Sequence, residues 1–242
     1  MPTDEPSSGH PDVRRIYLVR HGETLYRGVS GAAETSPYDL TERGVDQLRG
    51  LAELFRAIPV DRVVASPLAR SFDTATILAE PLGLTVHVDE DLREIVAGSY
   101  DGKTGHEIFT EVLQFFTSPA TTWDTPYVGG ETYRQLRDRA RSFLERTVAE
   151  PDWQTMVAVA HGGINNALLS VVLGKDEASG LLNAEQDFAC VNVLDHDGER
   201  FVLRLLNFTS YDPLKSGLKL PAVKMLVGLI GAQLGMSKDE RR

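Results

Sequence analysis

The chain has 242 residues, of which 42% are hydrophobic and 25% are charged, values that are typical of a folded protein with a full core. Its formal net charge of −10 argues against general nucleic-acid binding, because polyphosphate backbones are held by an excess of lysine and arginine. A small anionic substrate is compatible with this charge, since a local cluster of arginines can oppose the global sign.

The N-terminal residues and the cysteine content indicate the compartment. The first dozen residues are polar and lack the apolar core of a signal peptide, so a disordered tail is predicted. No stretch is long and apolar enough to span a bilayer. The one cysteine, Cys190, lies in an apolar run and is expected to be a buried, inert thiol. A cytoplasmic protein is therefore expected.

The first predicted strand, over 16–19, leads directly into Arg20-His21-Gly22. An arginine and a histidine therefore lie at the C-terminal end of this strand, which is where ligands bind in open α/β sheets. The planar fork of arginine matches phosphate, and a neutral imidazole can attack phosphorus.

The rest of the chain alternates strands and helices, which predicts an α/β three-layer sandwich with a mainly parallel central sheet flanked by helices. A loop is predicted over 27–39 and a helix capped by Thr41 over 41–57. Pro67 suits the first position of another helix. The remaining predictions are strands over 60–65, 86–88 and 156–160, helices over 106–116, 131–150 and 164–173, and a hairpin of 189–194 with 200–208.

The pattern of a strand followed by a chemically active loop occurs three times, at Arg20-His21-Gly22, at Ser66 to Arg70 and at Ala160-His161-Gly162. Because parallel strands end at one edge of a sheet, two arginines and two histidines are expected to converge there. A helix that starts at Gly162 or Gly163 would also direct free backbone N–H groups at an anion. Either histidine alone would more often be a core residue, but the repetition favours a phosphate pocket.

In this order, the segments resemble the histidine phosphatase superfamily, which is also called phosphoglycerate mutase-like. The resemblance covers roughly two-thirds of the chain. Its motifs are Arg20-His21-Gly22-Glu23-Thr24, Leu40-Thr41-Glu42-Arg43-Gly44, Ala65-Ser66-Pro67-Leu68-Ala69-Arg70, Leu92-Arg93-Glu94, Gly130-Glu131-Thr132 and Ala160-His161-Gly162.

The resemblance implies that His21 attacks phosphorus and carries a phosphohistidine. Arg20, Arg70 and a protonated His161 would hold the phosphoryl oxygens, so that no metal or other cofactor is needed. Glu94 would act as general acid and then as general base, although it also lies in an acidic run that could be a solvated face. The further candidates for substrate binding are Thr24, Arg27 and Gly162.

The predicted function is a metal-independent phosphomonoester hydrolase that acts on a small phosphorylated metabolite. One alternative is a cofactor-dependent phosphoglycerate mutase, which is disfavoured because Arg27 stands where such members keep asparagine. A non-catalytic phospho-ligand-binding protein is disfavoured because both His21 and Glu94 are present. Arg27 is expected to contact either the reacting phosphate or a second anionic group of the substrate.

The predicted organisation is a tail over 1–13, a histidine phosphatase-like domain over 14–212, and an amphipathic helix with a tail over 213–242. Packing of the apolar face of 218–234 on the domain is favoured narrowly over a homodimer contact. A membrane-surface role is disfavoured because the basic face of this segment is thin. Arg139 matches a recurrent arginine of the family, but an ion pair on a charged helix is the favoured interpretation.

Overall fold

The computed structural model describes residues 13–26, 38–99, 101–118, 120–175 and 184–217. Arg27, most of the predicted loop, most of the predicted N-terminal tail and the predicted C-terminal helix lie outside the described residues. Within the described parts of the chain, no helix is long and apolar enough to cross a membrane.

A six-stranded sheet forms the centre of the structure. Its strands are β1 (Arg14–Arg20), β4 (Arg62–Ala65), β5 (Val86–Val88), β6 (Thr155–Ala160), β7 (Val191–His196) and β8 (Phe201–Phe208). They lie in the order β5-β4-β6-β1-β7-β8. The strands β5, β4, β6 and β1 are parallel, β7 is antiparallel to β1, and β8 is antiparallel to β7. The predicted α/β class with a mainly parallel sheet is confirmed.

Helices cover both faces of this sheet because its strands alternate between two apolar sides. On β6, Met156 and Ala158 pack in one core cluster, whereas Val157 and Val159 pack in the other. The helices are α1 (Glu42–Phe55), α2 (Ala69–Ala79), α3 (Gly105–Thr117), α4 (Tyr133–Ala149) and α5 (Gly162–Val172). The first cluster includes residues of α4 and α5, and the second includes residues of α1 and α2.

Several predicted boundaries differ from the structure. Pro67 does not open α2, which begins at Ala69 after Leu68. The helix predicted from Glu131 begins at Tyr133, because Thr132 and Gln135 form a capping box that leaves Glu131 outside it. A short hairpin of β2 (Thr24–Tyr26) and β3 (Tyr38–Leu40) was not predicted, since three-residue strands carry almost no periodicity.

Gly44 allows α1 to start directly against the loop that follows β1. The Thr41 hydroxyl caps this helix by accepting the Gly44 N–H at 2.9 Å, as predicted. A Cβ atom on Gly44 would lie only 2.3 Å from the backbone oxygen of Glu23. Glycine therefore fixes the contact between the first turn of α1 and the segment carrying His21.

Gly44→Ala is expected to lower the free energy of unfolding by about 1–3 kcal/mol, because the added methyl group collides with backbone that cannot move aside easily. Gly50→Ala on the same helix is the matched control, since its Cβ would meet only the Ser210 hydroxyl at 3.3 Å. That change should be neutral or stabilising by up to ~1 kcal/mol. Urea unfolding measures both, and equal stability of the two variants would contradict the steric argument.

Candidate active site

The carboxyl ends of β1, β4 and β6 bring their following residues together at one edge of the sheet. His21 follows β1 and donates its backbone N–H to the carbonyl of Ala160 at 3.0 Å. Ser66 follows β4 and donates its own N–H to Val159 at 3.0 Å. The ring centroids of His21 and His161 are 5.2 Å apart, and Arg70 Nε lies 3.3 Å from His21 Nε2.

His21 is held in the tautomer that a nucleophile requires. Its Nδ1 lies 2.8 Å from the carbonyl oxygen of Gly22, which can only accept a hydrogen bond, so we assign the proton to Nδ1. Nε2 therefore keeps its lone pair and faces Arg70. Burial lowers the pKa of His21 well below its ordinary value, and the charges of Arg20 and Arg70 lower it further.

His161 is fully buried beside His21. Its Nε2 lies 2.8 Å from the Ser66 hydroxyl, and its buried Nδ1 has no hydrogen-bond partner among the described residues. Burial and then the neighbouring His21, Arg70 and Arg20 lower its pKa well below the ordinary value. The protein residues alone therefore favour a neutral His161, in contrast to the protonated form that was predicted.

Arg20 lies beside the two histidines with its guanidinium partly engaged. Its Nη1 donates to the carbonyl of Gln186, and its Cζ lies 4.2 Å from the ring centroid of Phe188. Its Nε is buried and has no hydrogen-bond partner within the described parts of the chain. Burial lowers the pKa of this guanidinium. A buried donor without a partner costs about 1–3 kcal/mol, which an anionic oxygen of a ligand would offset.

The Glu94 carboxylate caps the N-terminus of α5. It accepts backbone N–H groups from Gly163 at 3.0 Å, from Ile164 at 3.1 Å and from Ile95 at 2.9 Å. A Cβ on Gly163 would lie 2.3 Å from Glu94 Oε1, so this approach requires glycine. The prediction that the N–H groups of Gly163 and its neighbours are free for a substrate anion is therefore wrong for two of them.

Comparisons with known proteins show the family of this chain. Residues 16–209 match the model of the histidine phosphatase superfamily (branch 1). The chain belongs to this superfamily. The predicted family is confirmed, and so is the predicted class of enzyme, since several of the relatives found are named phosphatases. Other relatives are named probable phosphoglycerate mutases.

Two relatives and one solved structure illustrate the similarity of this histidine phosphatase. A Hydrogenobacter thermophilus protein provisionally named phosphoserine phosphatase 2 is 32% identical over 200 residues, which cover 81% of this chain and 96% of that protein. Adenosylcobalamin/alpha-ribazole phosphatase of Salmonella typhimurium is 28% identical over 194 residues, covering 80% and 96%. Mycobacterial glucosyl-3-phosphoglycerate phosphatase with inorganic phosphate superimposes with a TM-score of 0.68 at 29% identity, covering 81% and 98%.

The three predicted substrate-binding residues have different positions in this histidine phosphatase. Thr24 opens β2 and pairs with Leu40 of β3. Gly162 is the first residue of α5, where a Cβ would lie 3.7 Å from Cζ of Arg20. Arg27 lies outside the described residues. Contact of these residues with substrate stays a prediction.

Two residues beside Arg20 were missed by the sequence reasoning. The backbone carbonyl of Gln186 accepts a hydrogen bond from the guanidinium of Arg20. The side-chain amides of Gln186 and buried Asn192 form two hydrogen bonds with each other, at 2.8 and 3.1 Å. Phe188 lies over Arg20, and its ring centroid is 5.6 Å from that of His21. The sequence feature that could have pointed to this region is Asn192, a polar residue of β7 whose neighbours in the strand are apolar.

Cys190 and the metal-binding residue types complete the description of the site. Cys190 is buried, and burial raises the pKa of its thiol to about 12, which fits the predicted inert thiol. In the described ranges, no three histidine, cysteine or acidic side chains are grouped so that they could hold a metal ion. Chemistry without a metal stays a prediction.

Two neutral, buried histidines should make the stability of this protein depend on pH. A histidine in the unfolded chain binds a proton as the pH falls through 6.5, whereas the lowered pKa values keep His21 and His161 unprotonated in the native state. The unfolded state then binds more protons. The free energy of unfolding should therefore decrease as the pH is lowered below 6.5, by about 1.4 kcal/mol per pH unit for each histidine.

Urea unfolding in a phosphate-free buffer, from about pH 7.5 to about pH 5.5, measures this slope. His21→Gln should reduce the slope of the free energy of unfolding against pH by the contribution of about one proton. His87→Gln, at an exposed position of β5, serves as the control and should leave the slope as in the wild type. An unchanged slope in His21→Gln would show that His21 is protonated in the native state.

Proposed function

We propose that this chain hydrolyses phosphomonoesters of small metabolites through a phosphohistidine on His21. The observation that carries the proposal is the unprotonated Nε2 of His21, which is buried and lies 3.3 Å from Nε of Arg70. A lone pair surrounded by two arginines and a second histidine suits attack on an anionic, electrophilic group. Phosphorus in a monoester is such a group, because its oxygens carry the charge that the arginines neutralise.

In the first step, Nε2 of His21 attacks phosphorus and the bond between phosphorus and the ester oxygen breaks. Protonated Glu94 gives its proton to that leaving oxygen. The phosphorylated imidazole acquires positive charge, which the Gly22 carbonyl stabilises through the Nδ1–H at 2.8 Å. Arg20, Arg70 and His161 would hold the three oxygens on which the transition-state charge is spread.

In the second step, water attacks phosphorus and the bond between phosphorus and Nε2 breaks. The Glu94 carboxylate takes a proton from the water, which regenerates the acid and leaves neutral His21 and inorganic phosphate. The buried Nε of Arg20 and Nδ1 of His161 supply polar atoms without protein partners in the described structure. The Ser66 hydroxyl accepts the Leu68 N–H at 3.3 Å, so its own proton can go to Nε2 of His161, which leaves Nδ1–H for a phosphoryl oxygen.

The relatives support a small phosphorylated substrate, since their names specify the phosphatases of phosphoserine, alpha-ribazole and glucosyl-3-phosphoglycerate. We therefore place the substrate of this chain among phosphorylated metabolites rather than among macromolecules. A cytoplasmic location, the absence of a nucleic-acid partner and the favoured packing of 218–234 over a homodimer contact stay predictions.

His21→Asn should abolish hydrolysis, with a loss of more than about 10³-fold, because no other group can form the covalent intermediate. The assay uses a panel of phosphomonoesters and phosphoglycerates with a chelator present, and it measures both free phosphate and isomerised product. Rapid quenching of the wild type during turnover should trap acid-labile phosphate on His21. His87→Asn is the control and should retain full activity.

The same panel distinguishes the alternatives. Isomerised phosphoglycerate without net release of phosphate would favour the mutase. Binding of phosphate without turnover of any ester would favour the non-catalytic binding protein. Full activity of His21→Asn would rule out the phosphohistidine.

Glu94→Gln should slow alkyl phosphates by about 10²-fold more than activated aryl phosphates, because a poor alkoxide leaving group needs protonation and an aryl oxide needs little. The measurement is kcat/KM for a matched pair of alkyl and aryl esters. Glu90→Gln is the control, since this exposed carboxylate of the same acidic run pairs at the surface with Arg93, at 3.2 Å. An equal loss on both esters would show that Glu94 is not the acid.

A further inference from the structure

Arg139 of α4 and Glu131, which precedes that helix, form a two-point ion pair beside the active site. Nε of Arg139 lies 3.1 Å from Oε1 of Glu131, and Nη2 lies 2.9 Å from Oε2. The two side chains are only 18% and 13% exposed. Such a planar, largely buried pair has a fixed geometry, unlike a pair of solvated charges on a helix surface. The ion pair predicted for Arg139 is therefore present, but it is largely buried and its partner precedes the helix.

Four further hydrogen bonds of this pair go to the backbone on both sides of Glu94. Nη1 of Arg139 donates to the carbonyl oxygens of Asp91 at 2.6 Å and Arg93 at 2.9 Å. Oε2 of Glu131 accepts the N–H of Val96 at 3.1 Å, and the Glu131 N–H donates to the Val96 carbonyl at 2.8 Å. We name Glu131 and Arg139 together the clamp.

Glycines allow the backbone that precedes Glu131 to pack closely against the backbone that follows Glu94. A Cβ on Gly130 would lie 2.3 Å from the carbonyl oxygen of Val96 and 2.4 Å from the backbone nitrogen of Gly98. A Cβ on Gly98 would in turn lie 2.7 Å from the carbonyl carbon of Gly129. The two stretches therefore touch through main chain, with no side chain between them that could adjust.

Glu94 depends on these contacts because its own segment has no regular structure. The short 3-10 helix Glu90–Leu92 ends before it, and residues 94–99 belong to no helix or strand. The N-terminus of α5 holds the tip of the carboxylate, whereas the clamp holds the backbone from which the side chain extends. The position of the carboxylate is thus fixed at both ends of the side chain.

We infer that the clamp positions Glu94 for proton transfer, so that Glu131 and Arg139 are positioning residues for the hydrolysis of esters with poor leaving groups. The inference rests on the proposed role of Glu94 as acid and base. Proton transfer requires the carboxyl oxygen within about 2.6–3.2 Å of its partner, and a displacement of about 1 Å can cost on the order of 100-fold in rate. Loss of the clamp releases the backbone of residues 91–96 and therefore displaces the acid.

The test compares Arg139→Met and Glu131→Gln with the wild type and with Glu94→Gln. For each protein, kcat/KM is measured for an alkyl phosphate and for an activated aryl phosphate, together with inhibition by vanadate. Both clamp variants should raise the ratio of aryl to alkyl activity by roughly 10- to 100-fold and leave vanadate inhibition unchanged. Unchanged inhibition separates displacement of Glu94 from any effect of the Arg139 charge on His161.

Arg134→Met is the matched control. Arg134 lies on the same helix and also makes a two-point pair, with Asp124 at 2.6 and 2.8 Å, but at the surface and away from residues 91–96. Its loss should leave the ratio unchanged. The double variant Glu94→Gln with Arg139→Met should show no larger ratio than Glu94→Gln alone, because a clamp that acts through Glu94 has nothing to position once the acid is gone.

The outcomes separate the inference from the proposed function. A normal ratio in both clamp variants, or an equal loss on both esters, would overturn the inference if Glu94→Gln still raises the ratio. A Glu94→Gln variant that loses both activities equally would overturn the role of Glu94 and the inference with it. Should Arg139→Met not fold, Glu131→Gln and Arg139→Lys carry the same expectation, since lysine keeps the charge but lacks the planar fork.

Discussion

The pairing of β6 with β1 on one side and with β4 on the other is the constraint on which the active site depends. The three strands run parallel, so their carboxyl ends lie at one edge, and each is followed by a residue that the site uses. The backbone hydrogen bonds from His21 to Ala160 and from Ser66 to Val159 extend this pairing beyond the strands themselves. The sheet therefore sets the distance between His21 and His161, whereas Arg70 reaches His21 from the second position of α2, after the connecting residues 66–68.

This arrangement places the positive charges of Arg20 and Arg70 near each other around buried histidines, which lowers the stability of the fold. Arg20 and Arg70 both lower the pKa of His21, and the same two arginines also lower the pKa of His161. Keeping the histidines neutral avoids adding two more buried charges, and it leaves His21 unprotonated for the proposed attack on phosphorus. The property that makes the site reactive is thus the one that relieves its repulsion. Folds commonly tolerate such local costs at active sites because the surrounding core offsets them.

The sequence predicted the parts of the site that follow strands, and it failed where the chain leaves regular structure. His21 and His161 could be assigned because apolar runs end just before them, and Arg70 because it follows the segment Ser66 to Ala69 at the end of another such run. Glu94 could be selected only through the family resemblance, since an acidic run has no periodicity that singles out one carboxylate. The backbone partners of Arg139 could not be predicted for a different reason. They are backbone carbonyls 46 and 48 positions away, and a carbonyl leaves no trace in residue type.

The N-terminus of α5 shows how the site divides its binding groups. A helix N-terminus attracts anions, and the expectation from the sequence was that the substrate would occupy it. The Glu94 carboxylate takes that place, bound by the N–H groups of Gly163 and Ile164. Backbone groups therefore hold the proposed acid, which leaves side chains for the proposed phosphoryl group, in keeping with the buried atoms of Arg20 and His161 that have no partner within the described residues. If arginines hold the phosphate as proposed, the carboxylate and the phosphate can be altered separately, because the backbone contacts of Glu94 include no atom of Arg20 or Arg70.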